Sequence, residues 1–478
     1  MNAKIAAFYV LIIGVCTLSL LFLPPQVMAA ESPCGGSLKY LNTQYQLDPV
    51  TRKAFDKVYA GLTDLPAGYS YKGSKQNPWK AAGSGKDMYL MIVNMFETWC
   101  TELPRINGDS DNALDPILFF AWVYYKNPAG QDFVQGRDPS QPKGLLKTGP
   151  TFLSMWNDEY RGYMNSKDSA KQVDEWVKDP RIEINEYEKT KAKDYKSWNE
   201  FFARNLKSSK DGAYPSRPVT MPDRDYVIVA PTDCIMNPLV QVVEFDGVYK
   251  RKYIENPLQL DTVLDVKNIP ISVNDMLGTL PEDIKSKFVG GSGLTCVLMP
   301  NTYHHFHSPV DGTVIHAEVV KTGTLGTPGT FGYADFPNWV PLDGNVGRPG
   351  TDFSQFQAFQ RGVIVIKVEY DNLPAKKSNK KPKKLIGYVA SIPVGLDSVG
   401  SVVLNTCDSK QTDHVNCFNV GGKVQKGKTK FGNFFFGGSL DILLFSKGMI
   451  SPAVQTRMGS QIGIINIGTA PKSPWSLD

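Results

Sequence analysis

The strongest constraint on the fold is a change of texture near Ser197. Before that point apolar residues recur at helical spacing. Asp87-Met88-Tyr89-Leu90-Met91-Ile92-Val93-Asn94-Met95-Phe96 carries them on one helical face. Pro116-Ile117-Leu118-Phe119-Phe120-Ala121-Trp122-Val123-Tyr124-Tyr125 predicts a buried helix, with Pro116 in the first turn, where its missing N–H is tolerated. Residues 154–178 predict a third helix, polar on one side. After Ser197 short runs rich in Val and Ile stand between Gly and Pro: Val227-Ile228-Val229, Val240-Gln241-Val242-Val243, Val314-Ile315, Val363-Ile364-Val365-Ile366 and Ile442-Leu443-Leu444-Phe445. Runs so short and so punctuated predict strands. The chain therefore reads as α+β, with a mostly helical N-terminal domain over residues 31–195 and a β-rich domain over residues 196–478. The charged stretch 189–196 is the expected boundary, and 478 residues suffice for two cores.

Residues 1–30 predict an export signal. Lys4 supplies the positive end, residues 5–23 are almost wholly apolar, and Val27-Met28-Ala29-Ala30 offers small residues for cleavage. The apolar run is also long enough to stay as an anchor. The expected location is periplasmic or secreted, with membrane association left open. When Cys16 leaves with the signal, Cys34, Cys100, Cys234, Cys296, Cys407 and Cys417 remain, an even set that suits disulfides in an exported protein. Cys407 and Cys417 are spaced to close a short loop. No spacing resembles a zinc site, so no metal is expected.

The net charge of +5 is too mild to argue for nucleic acid, yet it permits attraction to an acidic membrane surface. Lys376, Lys377, Lys380, Lys381, Lys383 and Lys384 form a dense basic run, either a solvated hairpin tip or a peripheral contact with anionic headgroups. The Gly- and Pro-rich residues 322–350, with Phe331, Tyr333, Phe336 and Trp339, read as a long loop, either a lid or a surface loop with packed aromatics.

Two segments carry chemistry. Phe434-Phe435-Phe436-Gly437-Gly438-Ser439-Leu440-Asp441 places a Gly-Ser bond between an aromatic run and an apolar one. A serine hydroxyl can attack the carbonyl that precedes it, and glycine there admits the strained turn the attack needs. The step requires a base for the hydroxyl proton and donors for the oxyanion. Most Gly-Gly-Ser triplets are turns, so the motif gains weight only with partners. Of the chain's five histidines, three stand at His304, His305 and His307. In an extended stretch His305 and His307 share one face and His304 takes the other. Histidine is the usual base and proton donor near neutral pH. Asp233, in Ala230-Pro231-Thr232-Asp233-Cys234, ends an apolar run where an aspartate can hold a distant imidazole in one tautomer.

Taken in order, these segments resemble the motifs of phosphatidylserine decarboxylases. Phe201-Phe202-Ala203-Arg204 and Arg217-Pro218 match the family's entry motif. Asp233 matches its Asp, His304 and His307 its two histidines, and Gly438-Ser439 its cleavage site. Ile269-Pro270-Ile271-Ser272-Val273-Asn274-Asp275-Met276-Leu277 and Val399-Gly400-Ser401-Val402 fall in order between them, so the likeness runs from about Trp198 to Lys447. The helical region is more weakly similar to an extra N-terminal domain of some decarboxylase-like proteins. The resemblance implies self-cleavage between Gly438 and Ser439 by an Asp233–His307–Ser439 triad. It further implies that Ser439 becomes a covalent pyruvoyl cofactor, that His304 acts in decarboxylation, and that the C-terminal piece 439–478 stays as a partner chain. The implied substrate is phosphatidylserine, giving phosphatidylethanolamine and CO2.

Three departures bear on this. Cys234 stands where the family has glycine, His305 where it has arginine, and Leu440 where threonine is common. The second removes a permanent cation. Decarboxylation of a free amino acid, aromatic ones included, is the alternative within the same chemistry. A secreted binding protein that keeps the fold without catalysis is the alternative from another class.

Overall fold

The computed structural model describes residues 32–64, 76, 96–103, 127–135, 137–138, 144–146, 148–245, 248–254, 256–266, 269–299, 301–320, 361–371, 384–395, 402–407, 417–435 and 439–449. The export signal, the helix expected over 116–125, most of that over 87–96, the 322–350 loop, the lysines before Lys384 and Gly438 lie outside the described residues.

The N-terminal part is helical: α1 (Gly35–Leu47), α2 (Pro49–Ala60), α3 (Pro128–Gln135), α4 (Thr148–Met164), α5 (Val173–Lys178) and α6 (Trp198–Phe202). A two-residue ribbon, β1 (Arg137–Asp138) with β2 (Gly144–Leu145), interrupts it. α2 starts where Asp48 accepts from the Val50 and Thr51 amides, with Pro49 at the first position. The core is aromatic. Trp99 stacks on Trp156 at 4.2 Å between ring centres, Tyr160 on Trp156 at 4.7 Å, and Phe152 meets Phe96 edge-on at 4.6 Å. A Cys34–Cys100 disulfide ties the start of α1 to this cluster. The single helix expected over 154–178 is broken after Met164, because Ser169 Oγ donates to the Met164 and Ser166 carbonyls and satisfies the open end. Trp198, Phe201 and Phe202 belong to the same aromatic core, so helical packing continues past residue 195.

The rest is antiparallel sheet. A seven-stranded sheet runs in the order β14 (Lys423–Val424), β10 (Gly312–Val320), β11 (Arg361–Asp371), β12 (Lys384–Gly395), β16 (Ser439–Phe445), β8 (Ser292–Leu298), β3 (Ile235–Pro238). A three-stranded sheet has the order β13 (Val402–Leu404), β15 (Lys430–Phe434), β9 (His305–His307). A four-stranded sheet has β5 (Val248–Tyr253), β4 (Val240–Phe245), β6 (Val263–Val266) and β7 (Ile269–Ser272), followed by the short α7 (Val273–Met276) and α8 (Glu282–Lys285).

These sheets form layers, and β16 shows why. All seven of its residues are buried, because alternate side chains enter different cores. Leu440, Ile442 and Leu444 pack with Leu264, Ile271 and Met276. Leu443 and Phe445 pack with Phe306, Phe431 and Phe434 of the three-stranded sheet. Gly432 of β15 permits the closeness of that layer, since a Cβ there would meet the Val403 carbonyl at 2.0 Å. Four of the five expected strand runs lie in β4, β10, β11 and β16. Val227-Ile228-Val229 does not form a strand: Val227 N turns back to Arg224 O, and Val229 N is taken by Pro309 O. Cys407 and Cys417 are disulfide-bonded. Among the described residues no helix is long and apolar enough to cross a membrane.

The aromatic stack sets a measurable stability. Trp156→Ala removes its fully buried centre and is expected to cost about 3–5 kcal/mol. Urea unfolding of the variant measures this, and a loss under about 1 kcal/mol would show that the stack is not a core.

Candidate active site

The site is assembled by strand alternation in β9. Tyr303, His305 and His307 stack on one side, with ring centres 4.9 Å apart for Tyr303–His305 and 5.7 Å for Tyr303–His307. His304 and Phe306 take the other side, toward the seven-stranded sheet. There Ser439, first residue of β16, meets His304: Nδ1 lies 3.0 Å from Ser439 Oγ. The other ring nitrogen, Nε2, lies 3.1 Å from the Met299 carbonyl. A carbonyl only accepts, so Nε2 carries the proton, and Nδ1 of the neutral ring presents its lone pair to the hydroxyl. Phe202 stacks on the imidazole at 3.8 Å and 25° and fixes its plane. His304 is fully buried and Ser439 is 3% exposed, so the pair is dry.

The segment that ends the helical part holds this arrangement residue by residue. Phe201 is rooted in the aromatic core and Phe202 covers His304. The Ala203 carbonyl accepts from His305 Nε2 at 2.8 Å. Arg204 Nη2 donates to the Asn301 and Thr302 carbonyls at 2.7 and 3.1 Å, just before the histidines. Its guanidinium lies over the Tyr187 ring at 4.4 Å.

His307 and Asp233 lie elsewhere. His307 Nδ1 donates to the Lys428 carbonyl at 3.3 Å, so its Nε2 accepts from the Tyr303 hydroxyl at 2.9 Å. Burial, and then Lys430, push the His307 imidazole down to about 3, so the ring is neutral. The same two causes hold His305 well below the usual histidine range. Asp233 is gripped by Arg217, whose Nε donates to both carboxylate oxygens at 2.8 and 3.0 Å and whose Nη2 donates to Oδ2 at 2.8 Å. Arg217 Nη1 also reaches Glu186 at 2.6 Å. Asp233, Arg217, Tyr303 and His307 line a cavity of about 340 Å³ to which Ser439 does not contribute.

Residues 198–464 match the model of the phosphatidylserine decarboxylase family, more than half of the chain. The chain belongs to the phosphatidylserine decarboxylase family. It is a family of carboxy-lyases. A Fusobacterium nucleatum phosphatidylserine decarboxylase proenzyme is 26% identical over 299 residues, which cover 63% of this chain and 75% of that protein. The Clostridium novyi phosphatidylserine decarboxylase proenzyme is 26% identical over 351 residues, 73% of this chain and 86% of its own. A protein of Amanita muscaria named decarboxylase iboD is 26% identical over 313 residues, 60% of this chain and 74% of its own.

In this structure Ser439 is met by His304 rather than by His307. The reason is the period of two in β9: His304 and His307 stand three residues apart, hence on opposite faces, and Ser439 is on the His304 side. His307 is engaged by Tyr303 and Asp233 by Arg217. Sequence reasoning also missed several groups. The Met299 carbonyl has no signature in sequence. Phe202 and Arg217 stand beside or in the entry motif, where nothing in sequence marks their contacts with His304 and Asp233. Asp441 was visible as a lone charge in an apolar run. It is fully buried on the Ser439 side of β16, and Ser391 Oγ donates to its two oxygens at 3.2 and 3.0 Å.

Burial pushes the Asp441 carboxyl up to about 7. A carboxyl raised in the native state binds its proton more tightly there than in the unfolded chain. Native stability from this group therefore falls as pH rises from about 4 to about 7. Asp441→Asn keeps the shape without the charge. Its stability relative to the parent should rise across that window, by on the order of 2–4 kcal/mol, and stay constant above it. Urea unfolding at several pH values tests this, and a difference independent of pH would remove the buried charge from the account.

Proposed function

We propose that this chain is the precursor of a pyruvoyl-dependent decarboxylase that converts phosphatidylserine to phosphatidylethanolamine and CO2. The observation that carries the reading is the dry Ser439–His304 contact with the histidine tautomer set by Met299. His304 Nδ1 is placed to take the hydroxyl proton as Ser439 Oγ attacks the Gly438 carbonyl. The acyl group moves from the Ser439 nitrogen to Oγ, and that nitrogen takes up the proton. Elimination then frees the Gly438 carboxylate and leaves dehydroalanine at 439. Water converts this to a pyruvoyl group with loss of ammonia. The word "proenzyme" in the names of the bacterial relatives supports such maturation.

The cut falls where the fold tolerates it. Ser439 opens β16, which pairs along its whole length with β12 on one side and β8 on the other. Cleavage before Ser439 removes no residue from that strand, so residues 439–445 keep their place in the centre of the sheet. The pyruvoyl group would supply an electron sink for the departing carboxylate. His304 Nδ1, facing the former Oγ position, is placed to hold the proton that replaces CO2. Phe202 keeps water from that nitrogen, and Asp233 and His307 line the neighbouring cavity without touching it.

We also infer that the protein works outside the cytoplasm. The signal-like residues 1–30 and the disulfides Cys34–Cys100 and Cys407–Cys417 support this. The lysine run and the positive net charge support contact with an anionic bilayer surface.

Intact mass of the denatured protein tests maturation. The expected result is a fragment beginning at residue 439 with a pyruvoyl end, absent in Ser439→Ala. His304→Ala should slow appearance of the fragment at least ~100-fold, and His307→Ala by less than ~10-fold. Equal loss in both histidine variants would return the base to His307. CO2 release from phosphatidylserine vesicles but not from free serine or aromatic amino acids identifies the substrate, and the reverse pattern would select the free amino acid. An unbroken wild-type chain would leave the non-catalytic binding protein.

A further inference from the structure

A second cavity lies on the face of β9 that turns away from Ser439. It is enclosed between residues 188–205 and the outer face of the three-stranded sheet, and its volume is about 500 Å³. His305 of β9 stands opposite Asn433 of β15 in register, and His307 stands opposite Lys430, so His305, Asn433 and Lys430 share that outer face. All three line the cavity, and each is at least nine-tenths buried. Ser439 and His304 do not line it.

The polar groups of this wall are not satisfied by one another. Asn433 Nδ2 and Arg204 Nε are buried donors that meet no acceptor, and His305 Nδ1 is a buried ring nitrogen that meets no donor. His305 Nε2 donates to the Ala203 carbonyl and burial keeps the ring neutral, so Nδ1 carries a lone pair. Lys430 Nζ has three N–H donors, of which Asn205 Oδ1 takes one at 2.8 Å. Two carboxylates complete the wall. Glu200 is held by Lys189 and by the Lys196 amide. Glu188 is exposed at the edge, and its charge favours the protonated form of Lys430 against the effect of burial. Buried donors and acceptors without partners destabilise a fold, and a ligand with matching groups removes that penalty.

We propose that this cavity binds the zwitterionic group of an α-amino acid, at a site separate from Ser439. The carboxylate of the ligand meets the Lys430 ammonium and the Asn433 amide, and its ammonium meets His305 Nδ1 and the Glu188 carboxylate. A bare anion would leave His305 Nδ1 without a donor. A bare amine would leave Lys430 and Asn433 without an acceptor. The wall therefore selects a ligand that carries both groups. A free amino acid carries them, and so does a serine headgroup esterified to a lipid; a cavity of about 500 Å³ has room for either.

The test uses the full chain carrying Ser439→Ala. It lacks the reacting hydroxyl, so binding is scored whether or not the decarboxylase reading holds. Isothermal titration with L-serine is expected to show saturable binding, and ethanolamine, acetate and inorganic phosphate should each bind at least ~10-fold more weakly. Lys430→Met and Asn433→Leu, added singly, should each weaken L-serine binding at least ~10-fold with the urea midpoint little changed. If Lys430→Met does not fold, Asn433→Leu carries the test. Glycerophosphoserine that displaces L-serine assigns the site to the lipid headgroup as well, and failure to displace it assigns the site to free amino acids; both uphold the zwitterion site. Absence of saturable L-serine binding, ethanolamine or phosphate binding as tightly as L-serine, or undiminished binding in the folded variants would overturn the proposal.

Discussion

The hydrogen bond from His304 Nε2 to the Met299 carbonyl is the contact on which the site depends. It is a bond to backbone, so it needs no particular side chain at residue 299. It commits the imidazole proton to one nitrogen and leaves the other, Nδ1, as an acceptor aimed at Ser439 Oγ. With the opposite tautomer the ring would set a donor against the hydroxyl and turn a lone pair toward the Met299 carbonyl, which also accepts from the Thr302 amide and hydroxyl. Stacking by Phe202 removes the remaining freedom of the ring.

That dependence explains why the helical part is more than an appendage. Phe201 and Phe202 are the last residues of its aromatic core, and Phe202, Ala203 and Arg204 touch the segment from Asn301 to His305. A second tie runs from Glu186 through Arg217 to Asp233. A third joins Lys430 of β15 to Asn205 at 2.8 Å. The aromatic core and the reacting serine are thus mechanically linked through one short stretch of chain. Loosening the helices would uncover His304 before it disturbed the central sheet.

Much of this was legible in the sequence because it depends on local period. Four of the five apolar runs became strands, and the alternation that put His305 and His307 on one face and His304 on the other is present in β9. The same alternation accords with His304 rather than His307 standing beside Ser439. What could not be read was non-local. The tautomer is set by a carbonyl five residues before His304, Asp233 is claimed by an arginine sixteen residues before it, and the end of α4 is closed by Ser169 folding back. None of these leaves a periodic trace. Asp441 was readable as a charge in an apolar strand, but its burial followed only from β16 lying in the middle of three layers.

The two faces of β9 divide the chemistry electrostatically. On the inner face Ser439 and His304 meet in a buried contact, where proton transfer is little screened by water. On the outer face charge is abundant but neutralised in place: Arg217 answers Asp233 and Glu186, and Lys430, brought down to about 8 by burial, holds Asn205 and adds to the burial that keeps His305 and His307 neutral. The base that faces Ser439 is the His304 ring, oriented by the Met299 carbonyl. A hydroxyl beside an imidazole oriented by a backbone carbonyl is less strongly activated than one whose imidazole is oriented by a carboxylate. Such activation suits a serine that reacts once in the life of the molecule. Its rate need only outrun turnover of the protein, and a weak base spares the rest of the backbone from attack.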